Sequence, residues 1–122
     1  MRIFKNKAFQ HWAKELKLSD AVLIKTVEEM TQGLYEANLG GNIYKKRVAI
    51  RNQGKRGGAR TIVAFKAHEK TFFIYGFSKN KKENITPKEE DALKSLAKFY
   101  FGYNESGIEQ AIKRGEFFEV KS

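Results

Sequence analysis

The segment TFFIYGF, residues 71–77, constrains the fold more than any other part of this sequence. It is apolar at both odd and even positions, which is typical of a strand that is buried on both faces. Two more strand patterns precede it, at 43–50 and 59–66, and only short connections join the three. We therefore predict an antiparallel meander in which residues 71–77 form a central strand.

Two helices are predicted before the meander, after a short strand at 1–4. Asn6 is a good N-cap for the first helix, which runs to about residue 16, and Ser19 is a good N-cap for the second, which ends near residue 32. Gly33 follows where a C-cap glycine is expected. Residues 34–41 are predicted to form a loop, because Gly40-Gly41 marks a break in the pattern.

Another long helix is predicted after the meander. Thr86-Pro87-Lys88-Glu89 combines an N-cap, a proline at the first helical position and a capping-box glutamate, for a helix that reaches about residue 101. A short helix is expected over about 105–114, and the tail EFFEV either adds a small strand or docks on the core. The result is an α+β fold of order β-α-α-β-β-β-α(-α) with about four strands. Residues 1–122 are expected to form one domain, with 102–122 as a C-terminal extension.

Positive charge is concentrated in the stretch 37–68, which includes two of the predicted strands and the loop between them. This stretch has eight basic residues and no acid, and the residues outside it are 16 basic and 14 acidic, although the whole chain has a net charge of +10. A positive field concentrated in one block attracts a polyanion, most commonly nucleic acid. The alternative is a solvated surface, but such surfaces usually mix both signs.

Several enzyme classes lack support in this sequence. There is no cysteine, which excludes a thiol nucleophile and a cysteine zinc site. His11 and His68 fit no metal-ligand spacing, no Walker A, Rossmann or GxSxG pattern occurs, and the acids form no convincing two-metal set. The N-terminus has no apolar run as long as a signal peptide core, and no later segment approaches the length of a membrane span, so we expect a cytoplasmic protein with no membrane partner.

The basic residues suit the chemistry of phosphate. RNA can be cleaved by its own 2′-hydroxyl if positive groups hold the scissile phosphate in line and stabilise the charge that it gathers. Lys45 and Arg47 are two residues apart, so they project from the same face of their strand. If Arg60 lies opposite them on the paired strand, the three converge on one spot. Lys79, just past the third strand, could close the cluster.

The strings IYKKRVAIRNQGKRGGARTIVAF and FFIYGFSKNKKENITPKEEDALKSLAKFY resemble the RelE-type toxins of bacterial toxin–antitoxin modules, with a HigB-like branch of the RelE/ParE superfamily the most similar. The resemblance covers about residues 1–101 and is strongest over 42–98. It implies an αα unit, an antiparallel sheet and a terminal helix. It also implies a metal-independent endoribonuclease that cuts mRNA in the ribosomal A site and uses no cofactor. Its partner would be an antitoxin, which we expect to be an adjacently encoded helix-turn-helix protein.

The same resemblance nominates residues for the site. The Tyr-Lys-x-Lys strand of the family resembles residues 44–47, and this match nominates Lys45 and Arg47 to position the phosphate. A Gly-x-Arg motif of the family resembles residues 58–60, and this match nominates Arg60 to stabilise the transition state. Lys79 matches a family lysine that neutralises charge or protonates the leaving group, but the arginine expected next is replaced by Asn80. The family's base-stacking tyrosine is absent; Tyr75 is either its substitute or a core aromatic. The other candidates for RNA contact are Lys46, Arg51, Lys55, Arg56, Lys81 and Lys82.

Two other classes of function stay open at this point. ParE-like relatives share the scaffold and poison DNA gyrase without cleaving RNA. A helix–three-strand–helix order also occurs in modules that only bind double-stranded RNA. The dense basic strand pair favours a nuclease over a gyrase poison, and the two leading helices disfavour the RNA-binding module.

Overall fold

The computed structural model describes residues 1–50 and 54–121, with the side chains of all of these except 54–57. This described part contains four α-helices and one sheet of six strands. The helices are α1 (Lys7–Glu15), α2 (Asp20–Thr31), α3 (Pro87–Phe101) and α4 (Glu105–Lys113). The strands are β1 (Arg2–Asn6), β2 (Ala37–Gly40), β3 (Ile43–Ile50), β4 (Gly54–Phe65), β5 (Lys70–Ser78) and β6 (Phe117–Glu119).

β5 lies in the interior of the sheet, as its apolar pattern predicts. The strand order is β2-β3-β4-β5-β1-β6, and every neighbouring pair is antiparallel except β1 and β5, which are parallel. The predicted meander through β3, β4 and β5 is therefore confirmed. Phe73 packs into a core with residues of α1 and α2, whereas Phe72 and Ile74 pack into a second core with residues of α3 and α4. Helices therefore cover both faces of β5, which explains its apolar pattern.

A β-bulge in β5 changes which of its residues share a face. Val63 is opposite Phe73 and Ile62 is opposite Tyr75, so Ile74 has no residue opposite it. Strict alternation would put Tyr75 on the same face as Phe73. Because of the bulge, Tyr75 instead packs against the core on the α3 side of the sheet.

The helix caps form as the sequence predicts. The side chains of Asn6, Ser19 and Thr86 each accept a hydrogen bond from the backbone N–H three residues later. The Glu89 carboxylate accepts one from the backbone N–H of Thr86, which completes the capping box. Gly33, with φ +85°, follows the end of α2. These local interactions fix where each helix begins or ends, so they are readable from sequence.

Two predicted loops are wrong. Residues 34–41 contain β2, which pairs with β3 although its sequence ANLG has no strand pattern. The loop predicted between the strands at 43–50 and 59–66 is strand from residue 54, where β4 begins, because β4 continues its pairing with β3; residues 51–53 of that loop lie outside the described residues. With β2 and β6, the described sheet has six strands and not about four. Pairing with a neighbouring strand outweighs weak local propensity in both segments.

The C-terminal residues pack on the core. β6 pairs with β1, so the small strand allowed for the tail is present. Ile108, Ala111 and Phe117 are buried in the core on the α3 side of the sheet. Arg2 ties β1 to this region through ion pairs with the exposed or half-buried carboxylates of Glu105, Glu109 and Glu119.

Candidate functional site

The register of β3 and β4 brings two arginines face to face. Arg47 is directly opposite Arg60, and Lys45 is opposite Ile62 on the same face of the sheet. Like charges directly opposite each other destabilise a strand pair. The pairing of Arg47 with Arg60 therefore needs a nearby anion to offset the repulsion between the two charges.

The Glu36 carboxylate supplies that anion, just before β2. Its Oε2 lies 2.9 Å from Arg60 Nε and 3.7 Å from Arg47 Nη2, and its Oε1 lies 3.3 Å from Lys45 Nζ. The backbone holds it there, because the Glu36 N–H donates to the Lys45 carbonyl oxygen at 2.8 Å. The three cations nominated from the sequence thus meet at one carboxylate. We call these four residues, Glu36, Lys45, Arg47 and Arg60, the Glu36 cluster.

Glu36 stays ionised in this setting. Partial burial by itself would raise the pKa of the Glu36 carboxyl, but hydrogen bonds from Lys45 and Arg60 and the charges of both outweigh it. The pKa of Glu36 is therefore held below its ordinary value. A carboxyl in this state is a reliable anion and a poor proton acceptor at neutral pH.

Arg60 is the most buried cation of the cluster, with only 4 % of its side chain exposed. Its Nε donates to Glu36, but its Nη1 is buried and has no hydrogen-bond partner within the described part of the chain. A buried donor without a partner costs about 1–3 kcal/mol, and more for a charged group. The site therefore keeps one strong donor unused.

The cluster has the chemistry of an anion site. A carboxylate and a phosphodiester both present two anionic oxygens, and a guanidinium binds either one through its planar fork. The Glu36 carboxylate shows where an anion rests among these cations. An incoming phosphate would make the same contacts by replacing it.

Lys46, one of the predicted RNA contacts, is directed away from this cluster. It alternates with Lys45 and Arg47, so it lies on the opposite face of β3, where its Nζ is 2.8 Å from Glu29 Oε1. The residue is 8 % exposed. Lys46 therefore joins the sheet to α2 and cannot reach an anion held at the cluster.

Tyr75 and Lys82 extend the cluster face toward α3. Tyr75 is half-buried, and its ring centroid lies 5.7 Å from Lys82 Nζ. Lys82 also pairs with Glu89 near the start of α3, and this hydrogen bond raises the pKa of Lys82. An aromatic ring beside a lysine that stays charged suits contact with a nucleotide.

Lys79 and Lys81 are exposed in the turn that follows β5. Ser78, the last residue of β5, is opposite Ala59, so Lys79 leaves the sheet close to the strand position of Arg60. Among the described contacts, none joins either lysine to the Glu36 cluster. Arg51 lies outside the described residues, and the side chains of Lys55 and Arg56 are not described, so their roles stay predictions.

Neither histidine belongs to the cluster. His11 is exposed on α1 and pairs with Glu15, and His68 is exposed in the turn before β5. No group of three or more metal-ligating side chains of His, Cys, Asp or Glu occurs within residues 1–50 and 54–121.

Glu36 is the site residue that the sequence analysis missed. It stands one position before the acid-free stretch 37–68, inside a segment predicted to be a loop. Only the pairing of β2 with β3 shows that it lies beside Lys45. The sequence did carry one indication of its role, because Glu36 is the nearest acidic residue before the basic stretch 37–68.

The chain matches a known protein family along almost its whole length. A family model described as the RelE toxin of the RelE/RelB toxin–antitoxin system matches residues 1–120. The match includes α4 and β6, which lie beyond the region of residues 1–101 identified from the sequence strings. No curated protein matches the chain. In the described part of the chain, no helix is long and apolar enough to cross a membrane.

Proposed function

Because the chain belongs to the RelE toxin family of toxin–antitoxin systems, we propose that it is a ribosome-dependent endoribonuclease that cleaves mRNA and so inhibits translation. The observation that carries this proposal is the contact of Lys45, Arg47 and Arg60 with one carboxylate. The family also implies an antitoxin partner. We further propose that the antitoxin is a helix-turn-helix protein and that the toxin acts in the cytoplasm.

The proposed reaction is attack by the 2′-oxygen on the adjacent phosphorus. A bond forms between the 2′-oxygen and phosphorus, and the bond from phosphorus to the 5′-oxygen breaks. The 2′-hydroxyl loses a proton and the 5′-oxygen gains one, so no oxidant or net proton source is needed. The products are a 2′,3′-cyclic phosphate and a 5′-hydroxyl. This chemistry needs positioning and charge stabilisation, and the cluster provides cations for both.

Each cation of the cluster has its own task. Arg60 stabilises the negative charge that the phosphorane gathers, since its guanidinium is fixed by the strand and keeps Nη1 without a partner. Lys45 and Arg47 hold the scissile phosphate from the neighbouring strand. Lys79, which lies outside the cluster in the turn after β5, assists with charge at the leaving oxygen.

Glu36 holds the cations together until RNA arrives. Without an anion, Arg47 and Arg60 would repel each other across the strand pair. The carboxylate offsets this repulsion and keeps the two arginines and Lys45 near their working positions. When the phosphate binds, it takes the place of Glu36, whose side chain is 29 % exposed to solvent.

Expression of the protein in a bacterial host, followed by mapping of mRNA 5′ ends, tests this proposal. We expect growth arrest and new 5′-hydroxyl ends inside translated codons, because cleavage occurs in the ribosomal A site. The matched control is the same reporter transcript with its start codon removed, which should remain intact. Intact transcripts with normal translation would contradict the proposal. DNA breaks with undamaged mRNA would instead indicate a gyrase poison.

A further inference from the structure

A basic groove lies between α3 and the turn that joins β2 to β3, apart from the Glu36 cluster. Its volume is about 520 Å³, and its lining includes Gly41, Lys66, Lys94, Lys98 and Phe101. A volume of this order is sufficient for a small ligand or a nucleotide. None of these residues belongs to the cluster described above.

The groove carries excess positive charge. Lys94 Nζ lies 3.1 Å from Glu90, but Lys66 and Lys98 have no carboxylate partner among the described residues. Lys66 Nζ lies 4.7 Å from the centre of the Phe101 ring, an attractive contact that orients the lysine without neutralising it. Two cations are thus available to an anion in the groove.

Gly41 allows the floor of the groove to form. Its φ is +60°, and a Cβ at this position would lie 3.1 Å from Lys94 Cγ. The turn backbone therefore packs directly against the Lys94 side chain. A larger residue would strain the turn and crowd Lys94.

The groove and the Glu36 cluster are positioned along one face of the sheet. Lys66 follows β4 on the face that Arg60 and Ile62 share, six residues from Arg60, which corresponds to about 20 Å along an extended strand. α3 packs on the same face of the sheet, and Phe101 at its end lines the groove. One extended polyanion could reach both the groove and the Glu36 cluster.

We propose that this groove binds the phosphodiester backbone of single-stranded RNA. The inference rests on the proposed function, because it extends the RNA contact from the scissile phosphate to a second anion site on the same face. Lys66 and Lys98 contact phosphate oxygens, and Lys94 contributes a third charge shared with Glu90. The placement of two cationic sites one strand length apart suits a chain with regularly repeated charges better than an isolated acidic side chain of a protein.

Binding of a 2′-O-methyl oligouridine tests the groove without depending on cleavage, since this probe has no free 2′-hydroxyl. Fluorescence anisotropy gives the affinity of a fluorescein-labelled probe at several salt concentrations. The double variant Lys66→Gln/Lys98→Gln should bind about tenfold more weakly, and its slope of log K against log salt should be smaller by about 1.4. The matched control is Lys7→Gln/Lys14→Gln, which removes two exposed lysines from α1 on the other face of the sheet.

The outcomes separate the groove from the proposed nuclease activity. An affinity and a salt slope that fall no further in the groove variant than in the control would overturn the groove proposal. The same result together with loss of antitoxin binding would assign the groove to the partner protein and would also overturn it. If the groove variant loses affinity as expected but wild type cuts no mRNA, the groove proposal stands and the proposed function fails.

Discussion

The Arg60→Gln variant should cut mRNA on the ribosome at least about 100-fold more slowly than wild type. Arg60 is fixed in β4, opposite Arg47, and its Nη1 is a buried donor without a partner in the described part of the chain. Glutamine is shorter and has no charge, so it cannot stabilise the phosphorane to the same degree. The effect should fall on the rate constant of cleavage, because the charge of the phosphate grows in the transition state.

Single-turnover cleavage of mRNA in purified, programmed ribosomes measures this rate. Arg114→Gln is the matched control, because it also removes an arginine that pairs with a carboxylate, in this case Glu116 in the segment between α4 and β6. We expect the control to cleave at the wild-type rate. Thermal unfolding of both variants separates a lost charge from a lost fold. A folded Arg60→Gln protein with wild-type cleavage would show that Arg60 is only a structural residue.

Lys45→Gln should reduce cleavage by about 100-fold, whereas Lys46→Gln should leave it close to the wild-type rate. The two lysines are adjacent in sequence but lie on opposite faces of β3. Lys45 Nζ contacts Glu36 in the cluster, and Lys46 Nζ contacts Glu29 on α2. Each substitution removes the same charge from the same strand. Comparing the two variants therefore shows how cleavage depends on the face of β3 from which the lysine projects.

The two variants should rank the other way round in stability, with Lys46→Gln losing more stability than Lys45→Gln. Lys46→Gln should lower the free energy of unfolding by about 1 kcal/mol, since it removes the ion pair between buried Lys46 in the sheet and half-buried Glu29 on α2. Lys45→Gln relieves part of the crowding of positive charge and should change stability less. Single-turnover cleavage and urea unfolding of both proteins provide the test. Equal losses of cleavage in the two variants would contradict the assignment of the site to one face.

Much of the fold could be predicted because its signals are local. Asn6, Ser19 and Thr86 cap helices through hydrogen bonds that span three residues, so the sequence alone locates those ends. The central place of β5 follows from apolar residues on both of its faces. The shared face of Lys45 and Arg47 follows from the alternation of side chains along a strand.

What could not be predicted depends on contacts between distant segments. β2 has a sequence without strand character and forms because β3 offers it a partner. Glu36 meets Arg60 only through that pairing, across 24 positions of the chain. The β-bulge at Ile74 moves Tyr75 to the cluster face, and a simple alternation rule cannot show such a shift.

The charge arrangement links the fold to the proposed activity. A basic block of eight residues without an acid would be unfavourable if all its charges met unpaired. The fold divides them, since Lys46 pairs with α2 and the cluster gathers around Glu36. This division leaves the cluster with more cations than anions, so an additional anion is attracted to it.

Cleavage of an mRNA that carries 2′-deoxyribose throughout its A-site codon tests the central claim most directly. Purified protein and programmed ribosomes are combined with this mRNA or with the all-ribose version, and the product ends are mapped. If the cluster acts by holding the scissile phosphate for the 2′-oxygen, the all-ribose mRNA is cut to a 2′,3′-cyclic phosphate and a 5′-hydroxyl, and the deoxy codon stays intact. Cleavage of both messages, or of neither, would contradict the account.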